Sequence, residues 1–241
     1  MKNFFVVLGG MGTMASESFI HVLNQRTPAY SDQEYLNYVL VNHATVPDRT
    51  AFILKRSQED PRQALIEDIK QYDKLGPDFF VLTCNTAHYF YEELSQVTTR
   101  PLLHMPKLAV REILQENEGK KGKIKVGLLA TEGTVQSNIY SQELENTGRI
   151  EVLIPSDKWQ QKVTDLIYRD VKEKKFFNHE LYQEILHYMI VEKQCDVCLL
   201  GCTELSLMEA NAPKHFYPVV DAQSVLIDET LKLGIEMQKN R

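Results

Sequence analysis

No hydrophobic run in this 241-residue chain is long enough to span a membrane. The longest, Phe4–Leu8 and Phe79–Leu82, fall far short of the roughly 20 residues a bilayer crossing needs. Gly9-Gly10 cuts the first run off, so it cannot serve as the apolar core of a secretory signal either. Positive charge is also in short supply: 27 basic residues against 33 acidic ones give −6, which argues against a nucleic-acid partner. Cysteines number only four, and without a signal segment they read as reduced thiols of a cytoplasmic protein, not as a disulfide framework. No segment is low in complexity. What remains is ample core material. At 43% hydrophobic, a chain of this length removes about 70–75% of its unfolded surface from water, in one large domain or two of about 100–120 residues.

Short apolar runs alternate with helical periodicity. The expected strands are Phe4–Leu8, Tyr35–Asn42, Phe79–Thr83, Pro101–Met105, Lys125–Ala130, Glu151–Ile154, Asp196–Gly201 and Tyr217–Asp221. Between them, Ala64, Leu65, Asp68, Ile69, Tyr72 and Leu75 keep helical spacing after the start signal Asp60-Pro61 and before the stop Gly76-Pro77. This alternation predicts an α/β fold with mainly parallel sheets, whose strands are apolar on both faces and so do not alternate.

A repeat spans the two halves. Gly9-Gly10-Met11-Gly12-Thr13-Met14 aligns with Ala130-Thr131-Glu132-Gly133-Thr134-Val135, and Val81-Leu82-Thr83-Cys84-Asn85-Thr86 with Leu199-Leu200-Gly201-Cys202-Thr203-Glu204, at offsets of 121 and 118. General α/β grammar could produce one such match. Two at nearly one offset favour two similar, pseudo-twofold related lobes with the active site in the cleft between them. Residues 1–105 with 217–241 are assigned to the first lobe and 106–216 to the second, and the charged stretch Glu118–Lys123 is read as a crossing between them.

In open α/β sheets ligands bind beyond the carboxyl ends of the strands, where Cys84 and Cys202 are expected, each ahead of a helix. A helix dipole there favours thiolate, and lowering a thiol from about 8.5 toward 7 takes only about 2 kcal/mol. Two such thiols on one carbon could remove a proton from one side and return it on the other. A lone cysteine is more often a small buried hydrophobe, but a pair at matching repeat positions points to chemistry. Cys195 and Cys198 have CxxC spacing across the start of a strand, where i and i+3 face opposite sides, and read as structural. Gly10-Met11-Gly12-Thr13-Met14-Ala15 has the dinucleotide pattern. The strand that should supply the ribose-binding carboxylate ends Val41-Asn42-His43, so the glycines are read as letting the backbone approach a small anion.

Gly9-Gly10-Met11-Gly12, Val46-Pro47-Asp48-Arg49-Thr50, Cys84-Asn85-Thr86-Ala87-His88, Leu129-Ala130-Thr131-Glu132-Gly133-Thr134 and Gly201-Cys202-Thr203-Glu204-Leu205 resemble, in order, the signatures of the aspartate/glutamate racemase family. The resemblance covers nearly the whole chain and is closest to the aspartate branch, since glutamate enzymes typically carry His where this chain has Glu204 and have a different glycine loop. It implies a cofactor-independent amino-acid racemase that uses neither pyridoxal phosphate nor metal. Cys84 and Cys202 would be its paired thiolate and thiol, acting on aspartate from opposite faces of Cα. Arg49 and Lys172 would hold the two carboxylates, Arg49 with a two-pronged grip, although Lys172 also belongs to a charged run that could simply be solvated. Met11, Asn85, Thr86, Thr131, Thr134 and Thr203 would line the substrate site, and the polar ones among them could equally cap helices. Asp48 and Glu204 are supporting candidates for holding thiols, loops or the ammonium group. His88 reads as a satisfied structural histidine. The family also implies a homodimer. The other functions left open are a glutamate or broader-specificity racemase, a superfamily isomerase or decarboxylase, and an idle ligand-binding relative.

Overall fold

The computed structural model describes residues 1–239, and the strand runs seen in the sequence form two separate parallel sheets. β1 (Phe5–Gly9), β2 (Tyr38–Asn42) and β3 (Phe80–Leu82) lie in the order β2-β1-β3. β4 (Ile124–Ala130), β5 (Ile150–Leu153), β6 (Val197–Gly201) and β7 (Val219–Asp221) lie in the order β5-β4-β6-β7. The central strands β1 and β6 are buried throughout, as parallel strands covered on both faces by helices must be, and so is β3 at the end of the first sheet.

The chain divides into two compact units, Met1–Met105 joined by the helix from Gln223, and Pro106–Ala222. In the first, Val6, Leu8, Leu65, Ile69, Phe80 and Leu82 form the core. Leu129, Leu166, Ile167, Ile185, Leu200 and Leu205 do so in the second. The helix Pro61–Asp73 begins as expected: the Asp60 carboxylate accepts from Arg62 N at 2.9 Å. The closing helix Ala222–Lys239 is tied to the first unit by Arg26–Asp228 at 2.7 Å and by Gln238 Nε2 donating to the Tyr35 carbonyl at 2.8 Å.

The two sheets repeat one topology. In each, the first strand lies between the second and third, and Leu8↔Leu82 in one register corresponds to Leu129↔Leu200 in the other. The parallel extends to the fourth position, where β7 pairs with β6 and Leu102 bridges Phe80.

Several sequence expectations are corrected. Pro101–Met105 is a single bridge, not a strand: Phe80 N donates to Pro101 O and Leu103 N to Phe80 O, and a helix then begins at Met105 with Pro106 in its first turn. The Tyr35–Asn42 strand starts only at Tyr38, because Asp32–Glu34 form a 3₁₀ turn before it. The final strand, assigned above to the first lobe, belongs to the second unit. Cys198↔Val219 and Leu200↔Asp221 pair it with β6, and Ser206 Oγ donates to the Asp221 carboxylate at 2.5 Å. Glu118–Lys123 is not a crossing. It lies inside the second unit, where Lys120 pairs with Asp196, and the chain passes between units at Met105/Pro106 and Ala222/Gln223.

Candidate active site

At the carboxyl end of β1 the glycine loop is shaped by packing. A Cβ on Gly9 would sit 2.6 Å from Ser16 Oγ, and one on Gly10, at φ +89°, would sit 2.5 Å from the His43 backbone. Ser16 Oγ accepts from Gly10 N at 3.0 Å and donates to Gly12 O at 3.0 Å, closing the loop. These glycines therefore answer to a close backbone approach to His43 and Ser16. Arg49 braces the same loop. Nη1 donates to the Val46 and Pro47 carbonyls at 3.2 and 3.0 Å, and Nη2 to the Met11 carbonyl at 3.2 Å. The two-pronged grip expected of Arg49 is thus largely spent on backbone. Its buried Nε has no partner. Asp48 caps the short helix Arg49–Ile53, accepting from Ala51 N at 2.6 Å.

Cys84 lies two residues beyond β3, buried at the edge of the first core. A five-residue 3₁₀ turn, Thr86–Phe90, follows it where a regular helix was expected. Asn85 and Thr86 are buried with it. His88 fixes this segment through the backbone. Met105 N donates to Nε2 at 3.1 Å, which leaves the proton on Nδ1 to bond the Cys84 carbonyl at 2.8 Å. Burial lowers the His88 pKa to about 4, so this histidine is neutral and structural.

Cys202 caps the helix Thr203–Asn211 directly after β6. Its thiol donates to Glu204 Oε2 at 3.0 Å, and Thr203 Oγ1 donates to the same oxygen at 3.2 Å. Lys172 Nζ lies 3.4 Å from Glu204 Oε1. Burial, then the Glu204 carboxylate, push the Cys202 thiol well above its ordinary pKa, with Lys172 pulling the other way. The thiolate expected from the helix start is therefore overruled: in the resting site Cys202 is a protonated thiol. Lys172 reaches Glu204 from a π-helical segment, Leu166–Glu173, that continues the helix Asp157–Asp165. It is no solvated member of a charged run. Cys195 and Cys198 are buried free thiols away from this network, and burial pushes both up, Cys195 to about 11.

At the end of β4, Thr131 caps the turn Glu132–Gln136. Its hydroxyl accepts from Thr134 N at 3.2 Å and donates to Thr134 Oγ1 at 3.1 Å. Ala130 pairs with Gly201, so Thr131 and Cys202 both follow directly from paired residues. Gln160 was not foreseen: Nε2 donates to the Ala130 carbonyl at 3.0 Å. The signal was present as a polar stripe, Gln160, Thr164, Tyr168 and Lys172, running beside the apolar Val163, Leu166, Ile167 and Val171.

Each parallel α/β unit thus places a thiol beyond the carboxyl end of a strand, where ligands bind in open α/β sheets. The sequence model of the Asp/Glu/hydantoin racemase family matches residues 8–230, and the chain belongs to that family. Over 237 residues the chain is 29% identical to the broad specificity amino-acid racemase RacX of Bacillus subtilis (strain 168), covering 96% of this chain and 98% of that protein. The solved structure of Picrophilus torridus aspartate racemase is similar at a TM-score of 0.77 and 29% identity, over 96% of this chain and 94% of that one. Glutamate racemase of Sulfurihydrogenibium sp. (strain YO3AOP1) is 28% identical over 174 residues, 68% of this chain and 62% of that protein. Among the described residues no helix is long and apolar enough to cross a membrane.

Proposed function

We propose that the protein racemises aspartate by two-thiol proton transfer at Cα, without cofactor or metal, as a cytoplasmic homodimer. The observation that carries this is the pair of thiols at repeated topological positions, Cys84 just beyond β3 and Cys202 just beyond β6. The two units are 1–105 with the last helix, and 106–222. On this proposal the two thiols act on opposite faces of one substrate carbon.

For L-to-D turnover one sulfur, as thiolate, takes the Cα proton while the other, as thiol, gives one to the opposite face. The reverse reaction exchanges the roles. In the direction in which Cys202 is the base it must first lose its proton, and the Glu204 carboxylate, 3.0 Å from the sulfur, is within reach to accept it. Lys172 supplies the compensating charge, and a substrate carboxylate drawn to Lys172 competes with Glu204 for it. Arg49, Met11, Asn85, Thr86, Thr131, Thr134 and Thr203 surround the substrate in this proposal, with Asp48 holding the Arg49 helix.

A second reading, broader amino-acid specificity, is favoured by the likeness to RacX along almost the full length of both chains. A side-by-side racemisation assay with both enantiomers of aspartate, glutamate and several neutral amino acids decides between them. Faster turnover of aspartate supports the first reading, and comparable rates across the set support the second. No Cα exchange of any of them in D2O overturns both.

A further inference from the structure

Two buried acceptors of the second unit remain unused by these contacts. Gln160 Oε1 and Thr164 Oγ1 are both shielded from solvent and both without a hydrogen-bond partner. A buried polar atom left unpaired is costly and calls for an explanation. Residues four apart are neighbours on one helix face, and both belong to the helix Asp157–Asp165.

The place of that face in the fold is fixed at two points. At one end Gln160 Nε2 holds the Ala130 carbonyl at the carboxyl end of β4. At the other, Lys172 reaches Glu204, two residues past Cys202 beyond β6. Between them Tyr168 lies under the Lys172 ammonium at 4.6 Å, so the stripe stays on one side through the π-helical segment. β4 and β6 are paired neighbours, so Gln160 lies at the carboxyl edge of the sheet that carries Cys202, and Thr164 follows one helical turn on, toward Lys172.

We infer that Gln160 Oε1 and Thr164 Oγ1 form the subsite for the substrate's α-ammonium group, an inference that rests on the amino-acid racemase reading above. The Gln160 amide cannot turn around, because its nitrogen is committed to Ala130 O. Its oxygen therefore accepts only, and it suits an N–H donor rather than a carboxylate. The carboxylates do not compete for this role: Asp48 caps a helix, and Glu204 is taken by Cys202, Thr203 and Lys172. A neutral amide oxygen binds ammonium without cancelling its charge. That charge stays beside the carbon where negative charge develops as the proton leaves, an aid that an enzyme without an electron-sink cofactor needs.

The test compares L-aspartate with succinate, which keeps both carboxylates and lacks the ammonium. Thr164→Val keeps the side-chain volume, and Gln160→Leu removes the acceptor. Each variant is expected to raise the KM for aspartate about tenfold, as befits loss of a hydrogen bond to a charged group, while the Ki of succinate as competitor stays unchanged. Thr164→Val should also melt at the same or a higher temperature than the parent, because an unpaired buried hydroxyl has gone. Equal losses for aspartate and succinate would mark a purely structural role and overturn the subsite, as would an unchanged KM in both variants. A parent enzyme that turns over no amino acid overturns the functional reading, and the subsite with it.

Discussion

Cys84 and Cys202 occupy equivalent positions in two copies of one topology, yet their surroundings differ in kind. Cys84 is held by its backbone, its carbonyl bonded to a neutral buried His88. Cys202 is held by its sulfur, which donates to a carboxylate that is itself paired with a lysine. The repeat thus supplies two similar strand ends, and the side chains around them differ: Glu204 and Lys172 stand beside the Cys202 sulfur, whereas His88 bonds the Cys84 backbone. On the proposed mechanism, two mirror-image substrates would meet two bases that are not mirror images of each other.

The sharpest way to break the comparison is to remove one thiol at a time. Cys84→Ala and Cys202→Ala should each lower racemisation by about 10³-fold or more, in line with the upper range for general acid–base groups. Each should still exchange the Cα proton in D2O, from one enantiomer only and with opposite preferences. NMR of deuterium uptake beside a circular-dichroism assay reads both outcomes. A single variant that racemises freely would falsify the two-thiol mechanism.

Acid should act next through the Cys84 side. The unfolded chain binds a proton on His88 near its ordinary 6.5, whereas the folded site refuses it until about 4. Stability from this group is therefore complete above pH 6.5 and is lost as pH falls toward 4, by about 3 kcal/mol at 1.36 per unit. Urea unfolding at pH 7 and pH 4.5 measures the loss. His88→Asn should be less stable at neutral pH but show a flatter dependence across that window.

On the Cys202 side the two charges should pull in opposite directions. Glu204→Gln removes a group that raises the thiol, so alkylation of Cys202 in a Cys84→Ala background should move to lower pH. Lys172→Met should move it to higher pH and raise the aspartate KM by about 10–100-fold, as loss of a charge-assisted contact does. Shifts of the same sign in both variants would show that the carboxylate and the lysine do not oppose each other at the sulfur.

The smallest effect is expected at Arg49→Lys. A lysine keeps the charge but cannot reach the Val46, Pro47 and Met11 carbonyls together, so the loop slackens. We expect a KM about tenfold higher and a Tm lower by about 2–4 °C, the shift that about 1 kcal/mol produces at this chain length. Parent-like KM and Tm would remove Arg49 from both the loop and the site.

Much of this was legible before any coordinates. Strand runs such as Phe-Val-Val-Leu and Val-Cys-Leu-Leu are apolar on both faces, and only parallel strands between helices accept that pattern. The cysteines stood out because the repeat aligned them. Other features were hidden for physical reasons. β7 is three residues long, and its sheet is chosen by pairing with β6, which its own composition does not encode. The protonated state of Cys202 depends on burial and on how the Glu204 side chain folds back two residues away, and that outweighed the helix-start rule. The bracing role of Arg49 was hidden too, because sequence does not show that the Val46, Pro47 and Met11 carbonyls lie within its reach.

The second unit is an insertion within the first. Met105 leads into it, Ala222 leads out, and the helix Ala222–Lys239 then binds Arg26 and the Tyr35 carbonyl, made more than a hundred residues earlier. During synthesis the inserted unit has all its strands before that helix exists, so it can close while the first still exposes the surface around Tyr35, Leu36 and Arg26. The first unit is thus begun before the second in the sequence and receives its last helix after it. The half that starts first is the last to be sealed.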